Sequence, residues 1–209
     1  MRGKTYTARK VTRYLTWLGH KSRIFNVGNY RRKAVGAEQK ADFFDPNNEE
    51  FALQREQLAN KALEDMLIWM ANGGNDDQPA QTPSINMPPK YRSFSDSGAG
   101  VNGPACIALY DATNSTYTRR KYIMDQCSKF GIKVFFIENL CDDEEIIMNN
   151  IKEVKVSSPD YVGWNTQDAI HDFQRRIEHY AKSYQTISKT ENNGQIAFVK
   201  IVNIGKQVV

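Results

Sequence analysis

With 209 residues, 40% of them apolar and 25% charged, the chain can bury one real core, and collagen-like, wholly disordered and membrane classes are excluded. The formal charge of +4 suits a partner with clustered anionic oxygens, whether nucleic acid or a phosphorylated metabolite. No run approaches the ~18 apolar residues of a membrane-spanning helix, and the first residues lack an apolar signal core, so a soluble, unexported, cytoplasmic protein with no membrane partner is expected.

In chain order, Val11, Tyr14, Leu15 and Leu18 recur at helical spacing opposite Arg9, Lys10 and Arg13, which predicts an amphipathic helix stopped by Gly19. Arg23-Ile24-Phe25-Asn26-Val27 reads as a strand that Gly28-Asn29 turns into a basic loop, Tyr30-Arg31-Arg32-Lys33. Asn47 or Asn48 before Glu49 and Glu50 marks a helix start, followed by a buried stripe of Ala59, Ala62, Leu63, Met66 and Met70. Residues 73–104 are rich in Gly, Pro, Ser and Asn without an apolar period, the signature of a flexible surface insertion.

Cys106-Ile107-Ala108-Leu109-Tyr110, ending in Asp111, and Val134-Phe135-Phe136-Ile137 read as central parallel strands. Helical patterns cover roughly residues 116–129, 142–154 and 166–184, and a last apolar run at 196–204 supplies another strand. Strand and helix alternate as a doubly wound sheet requires. Cys106, Cys127 and Cys141 show neither C-x-x-C pairing nor His-rich company, which argues against disulfides and a zinc site. His20, His171 and His179 have no metal or triad spacing and read as surface or helix residues.

Gly3-Lys4-Thr5 matches the second half of a phosphate-binding loop, in which backbone N–H groups close round phosphate oxygens, lysine neutralises charge and the hydroxyl holds magnesium. The first glycine and the preceding strand would lie before Met1. Asp111 at a strand tip sits where such kinases keep a magnesium-organising acid, although aspartate after a strand commonly just starts a turn. The basic positions Arg31, Arg32, Arg55, Arg119, Arg120, Lys155, Arg175 and Arg176 are spread over several loops and helices. A phosphorylated substrate needs several such groups to converge. Without interleaved stacking aromatics, a nucleic-acid partner is not expected.

The chain resembles the kinase domain of the 6-phosphofructo-2-kinase/fructose-2,6-bisphosphatase family. That family carries K-T-Y, F-N-V-G-x-Y-R-R, F-D-A-T-N-x-T, C-D-D and N-I-x-E-V-K in series. Here they stand as Lys4-Thr5-Tyr6, residues 25–32, Tyr110-Asp111-Ala112-Thr113-Asn114-Ser115-Thr116, Cys141-Asp142-Asp143 and residues 150–155. Ser158-Pro159-Asp160-Tyr161 and Arg176-Ile177-Glu178-His179-Tyr180 also match, so the resemblance covers nearly everything outside 73–104.

The resemblance implies a P-loop kinase-like α/β fold, with a doubly wound, mainly parallel sheet and helices on both faces. It would form a single domain over 1–209, lacking its first strand and the start of the P-loop. It implies ATP and Mg2+ at Gly3, Lys4 and Thr5, with Asp111 beside the metal and Cys141 and Asn150 near the nucleotide. Cys141 is also readable as a packed residue at a strand end. Fructose 6-phosphate would be held by Arg31, Arg55, Thr113, Arg119, Lys155, Arg176 and Tyr180, and phosphorylated at its 2-hydroxyl with Lys4, Asp111 and Lys155 in catalysis. The product would be fructose 2,6-bisphosphate, a regulator of glycolysis. A homodimer is open, and no Arg-His-Gly triplet announces a phosphatase domain. A non-catalytic member that binds sugar phosphate without a working P-loop is the alternative expectation.

Overall fold

The computed structural model describes residues 3–75, 105–155, 158–203 and 207–208. Most of the expected insertion at 73–104 therefore lies outside the described residues. Of it, Gly73, Gly74 and Asn75 are described, directly after the preceding helix.

Gly3 has φ +84°, a conformation glycine adopts without steric cost, and helix α1 (Lys4–Trp17) starts from it. At the other end the His20 N–H donates to Leu15 O and the Gly19 N–H to Thr16 O, with Gly19 at φ +86°, so the expected glycine stop is present. The predicted stripe is narrower than expected. Ala8 is buried and Val11 and Leu15 are half-buried, whereas Tyr14 and Leu18 are exposed, because α1 meets the sheet along one narrow seam.

Strand β1 (Lys21–Asn26) runs directly into helix α2 (Val27–Val35), where a loop was expected. The Asn26 side chain accepts a hydrogen bond from the Asn29 N–H, so a helix N-cap stands where Gly28-Asn29 read as a turn. A 3-10 turn (Ala41–Phe44) precedes helix α3 (Glu49–Ala71), whose Asn48 cap and acidic first turn match the expectation. Strand β2 (Cys106–Asp111), helix α4 (Tyr117–Ser128), strand β3 (Phe136–Leu140) and helix α5 (Glu144–Asn150) follow. A π-helical turn (Ile151–Lys155), a 3-10 turn (Pro159–Tyr161), helix α6 (Thr166–Ser183) and strands β4 (Phe198–Val202) and β5 (Gln207–Val208) complete the described chain.

β1 and β2 pair in parallel, with Asn26 opposite Asp111 at their C-terminal ends. β3 and β4 pair in parallel, and β5 joins β4 antiparallel. The expected sheet is thus present as two ladders, β1-β2 and β3-β4-β5, and among the described residues β2 and β3 each pair on one side only. Helices cover both faces of the first ladder. Phe25, Cys106, Ala108 and Tyr110 pack against Leu63, Met66, Leu67 and Trp69 of α3 and Ile123 and Cys127 of α4. On the other face Ser22 meets Thr12 and Thr16 of α1. Burying a side chain such as Leu63, 2% exposed, contributes about 1.5–3 kcal/mol.

A second core joins Ile151, Tyr161, Ala169, Ile170 and Phe173. The three cysteines are free. Among the described residues, no helix is long and apolar enough to cross a membrane.

Candidate active site

Three groups of side chains gather where β1, β2 and β3 end. In the first, α1 carries Thr5 and Thr7 onto both ladders. The Thr5 hydroxyl donates to Asp111 Oδ2 at 2.7 Å, and the Thr7 hydroxyl donates to Asn139 Oδ1 at 2.8 Å. Asp111, 8% exposed, closes β2 and also accepts a hydrogen bond from the Asn26 side-chain amide across the ladder. Gly3 stands at the positive end of the α1 dipole, next to Asn139. This grouping suits polyphosphate and a hard cation. Mg2+ takes oxygen ligands, usually one or two from protein with the rest from phosphate and water, and a hydroxyl and a carboxylate stand side by side here. Among the described residues no cluster of three or more His, Cys, Asp or Glu forms a closed metal cage.

The second group is built on Phe44, in the 3-10 turn before α3. Arg31 of α2 lies over its ring at 5.4 Å from the centroid, Arg176 of α6 at 4.6 Å, and the Tyr180 ring is 5.9 Å away. Arg55 of α3 lies over Phe43 and donates to the carbonyls of Phe43 and Asp45. Asp160 holds the arginines together. Arg31 Nη2 donates to both of its oxygens, at 2.7 and 2.6 Å, with Arg176 Nη1 at 3.2 Å and Arg32 Nη1 at 3.3 Å.

Burial pushes the Asp160 carboxyl upward, but Arg31, Arg176 and Arg32 outweigh it and hold the group below its usual range. Asp172 takes Arg176 Nε at 2.9 Å and the Tyr161 hydroxyl at 2.8 Å. Three guanidinium groups, of Arg31, Arg32 and Arg176, therefore face two buried carboxylates, Asp160 and Asp172. Among the described residues, the buried Arg31 Nη1 meets no hydrogen-bond partner, a costly state for a charged donor unless an anion takes it.

The third group lies between α3 and α4. Arg119 Nη2 donates to the Tyr110 hydroxyl at 2.9 Å and Nη1 to Asn60 Oδ1, while the guanidinium stacks on Tyr122 at 5.2 Å. Burial raises the Tyr110 phenol above its usual value, so it stays protonated at neutral pH. Helix α3 is the spine, since it carries both Arg55 and Asn60.

Of the expected site residues, Gly3, Thr5 and Asp111 come together at the ladder ends, and Arg31, Arg55, Arg176 and Tyr180 gather round Phe43 and Phe44. Lys4 follows Gly3 in the first turn of α1. Arg119 stands apart from that cluster, on α4, and Thr113 lies in the loop that leaves Asp111. The Lys155 side chain is outside the described residues. Asn150, at the end of α5, donates to Ile146 O at 2.9 Å, and Cys141, 3% exposed, is a packed residue past β3. His179 is a helix residue, as expected, but a buried one, 3.6 Å from Asp45.

Sequence reasoning gave no role to Asn26, Phe44, Asn60, Tyr110, Asn139 or Asp160. Asn26, Tyr110 and Asp160 sit inside the family motifs, which is their only signal.

A family model described as 6-phosphofructo-2-kinase matches residues 1–76 and 101–209. The chain is 36% identical over 206 residues to 6-phosphofructo-2-kinase/fructose-2,6-bisphosphatase 3 of Homo sapiens, covering 99% of this chain and 34% of that protein. It is 38% identical to 6-phosphofructo-2-kinase/fructose-2,6-bisphosphatase of Gallus gallus, covering 97% and 37%, and 37% identical to that of Caenorhabditis elegans, covering 98% and 39%. It thus spans little more than a third of the length of these relatives. A match over most of the chain, together with the ladder-end acid and the arginine cluster, leads to one conclusion: the chain belongs to the 6-phosphofructo-2-kinase family.

Proposed function

We propose that this chain forms the phosphoryl-transfer site of an ATP-dependent kinase acting on the 2-hydroxyl of fructose 6-phosphate, in the cytoplasm. The observation that carries the reading is the arginine cluster with its buried Arg31 Nη1, which meets no acceptor among the described residues, about a turn of helix from Asn26, which touches Asp111. Gly3, Lys4 and Thr5 bind the nucleotide phosphates, with Cys141 and Asn150 on the nucleotide side. Arg31, Arg55, Arg176 and Tyr180 take the sugar phosphate, with Thr113, Arg119 and Lys155 completing its contacts.

In the transfer, the bond from the β,γ-bridging oxygen to the γ-phosphorus breaks, a bond from the sugar O2 forms, and the hydroxyl proton leaves. Negative charge spreads over the γ-phosphoryl oxygens, so positioning and countercharge carry the rate. Lys4 and Lys155 supply that countercharge. Thr5 and Asp111 would hold Mg2+, which when bound would supply further countercharge to the phosphoryl oxygens. Because Asp111 is also fixed by Asn26, its carboxylate is oriented before any ligand arrives.

The test is turnover of ATP by the full-length protein with and without fructose 6-phosphate. The sugar should stimulate turnover, and Lys4→Met should abolish it, a loss of at least about a hundredfold, with binding of the sugar retained. Sugar-phosphate binding without turnover in the unaltered protein would return the non-catalytic reading.

A further inference from the structure

The motif that carries Phe before its Asp-Ala-Thr-Asn in the resembling family carries Tyr110 here. The added hydroxyl is fully used. It donates to Ala59 O of α3 at 2.7 Å and accepts from Arg119 Nη2 of α4 at 2.9 Å. Its ring lies among the residues of the α3–α4 core, and it immediately precedes Asp111 in β2. The same guanidinium is gripped on its other side by Asn60 and from one face by Tyr122. Three elements, α3, α4 and β2, therefore meet at one phenolic oxygen, and the group they orient is an arginine.

A phenyl ring at this position would fill the same core volume but leave Ala59 O without this donor and Arg119 without one acceptor. An arginine loses rotamer freedom when it binds a phosphate, and one already held in a fork of fixed partners loses less on binding.

We infer that Tyr110 is a positioning residue that holds the Arg119 guanidinium ready for the sugar phosphate, an inference resting on the fructose 6-phosphate reading above. It acts through Arg119 and touches no reacting atom. Its removal should weaken binding of the sugar phosphate in ground and transition state alike and leave the chemical step alone.

The experiment is steady-state kinetics on the full-length protein carrying Tyr110→Phe, Arg119→Ala, or both. Tyr110→Phe should raise KM for fructose 6-phosphate about three- to tenfold, the range one net hydrogen bond spans, with kcat and KM for ATP within about twofold. In the Arg119→Ala background the same substitution should have no further effect on KM, because the two residues act as one unit. A KM unchanged by Tyr110→Phe, a fall in kcat alone, or effects that multiply independently in the double variant would each overturn the inference. Absence of sugar-dependent turnover in the unaltered protein would instead overturn the functional reading, and this inference with it.

Discussion

Replacing Asp160 by Ala is the sharpest test of how the arginine cluster is held. The residue is 9% exposed and contacts three guanidinium groups, from Arg31, Arg32 and Arg176. Removing it leaves like charges packed round Phe44 with Asp172 as the remaining carboxylate partner of Arg176. Breaking a buried ion pair by deleting one partner costs about 3–5 kcal/mol, because the other charge stays buried and unpaired. At about 2–4 °C per kcal/mol for a chain of this size, the thermal midpoint should fall by roughly 6–20 °C.

The pH dependence follows from the same contacts. The folded carboxyl titrates below its ordinary value of 3.8, so its contribution is fully present above that value and is lost as pH falls through the lowered folded value. Thermal melts of both proteins followed by circular dichroism, from about pH 7 down to about pH 3, should show a constant gap that narrows only at the acid end. Inorganic phosphate should narrow the gap at neutral pH by supplying the missing anion. A midpoint shift under about 2 °C at neutral pH, or a gap that stays constant into acid, would refute the reasoning.

Two further outcomes are expected. Arg120, 2% exposed, grips both oxygens of Glu191 at 2.9 and 2.6 Å and donates to Asn114 O and Gln185 O. Arg120→Ala should cost about 3–5 kcal/mol in urea unfolding with an unchanged m-value, and Arg120→Lys should recover only part, since a point charge cannot reproduce the fork. Burial pushes the Cys127 thiol up to about 11, so near pH 8 only about one molecule in a thousand carries the thiolate. Mass spectrometry should find Cys127 unalkylated in the native protein and alkylated in urea, and rapid native labelling would contradict its burial.

What the sequence made legible was local. The cap at Asn48, the stop at Gly19 and the strand ending at Asp111 each depend on neighbours a few positions away, and each stands where it was read. Gly28-Asn29 is a strong turn signal and predicts a loop, but the competing Asn26 cap outweighs it and helix α2 forms. Tyr14 and Leu18 fitted a helical stripe, yet how much of a helix face a sheet covers is decided by the sheet.

The site partners were out of reach for a different reason. Asp111 meets Asn26 across 85 positions, and Arg31 meets Asp160 across 129. Nothing in either neighbourhood says that a carboxylate or an amide will arrive from the other. Resemblance supplied the arginines, and only the fold supplied the acid and the aromatic ring that gather them.

The break between the two ladders bears on how the site responds to load. Within a ladder, neighbouring strands are fastened by main-chain hydrogen bonds and move as one plate. Among the described residues, Thr5 and Thr7 of α1 fasten the plates through side chains at one point, and the Arg120–Glu191 fork does so where α4 meets the segment leading to β4. A small rotation of one plate against the other thus stretches these side-chain contacts and the main-chain bond from the Gln185 N–H to Ser115 O, but no ladder. Since one of those contacts is the Thr5 hydroxyl on Asp111, the seam between the two ladders runs through the pair of oxygens on which the proposed chemistry turns.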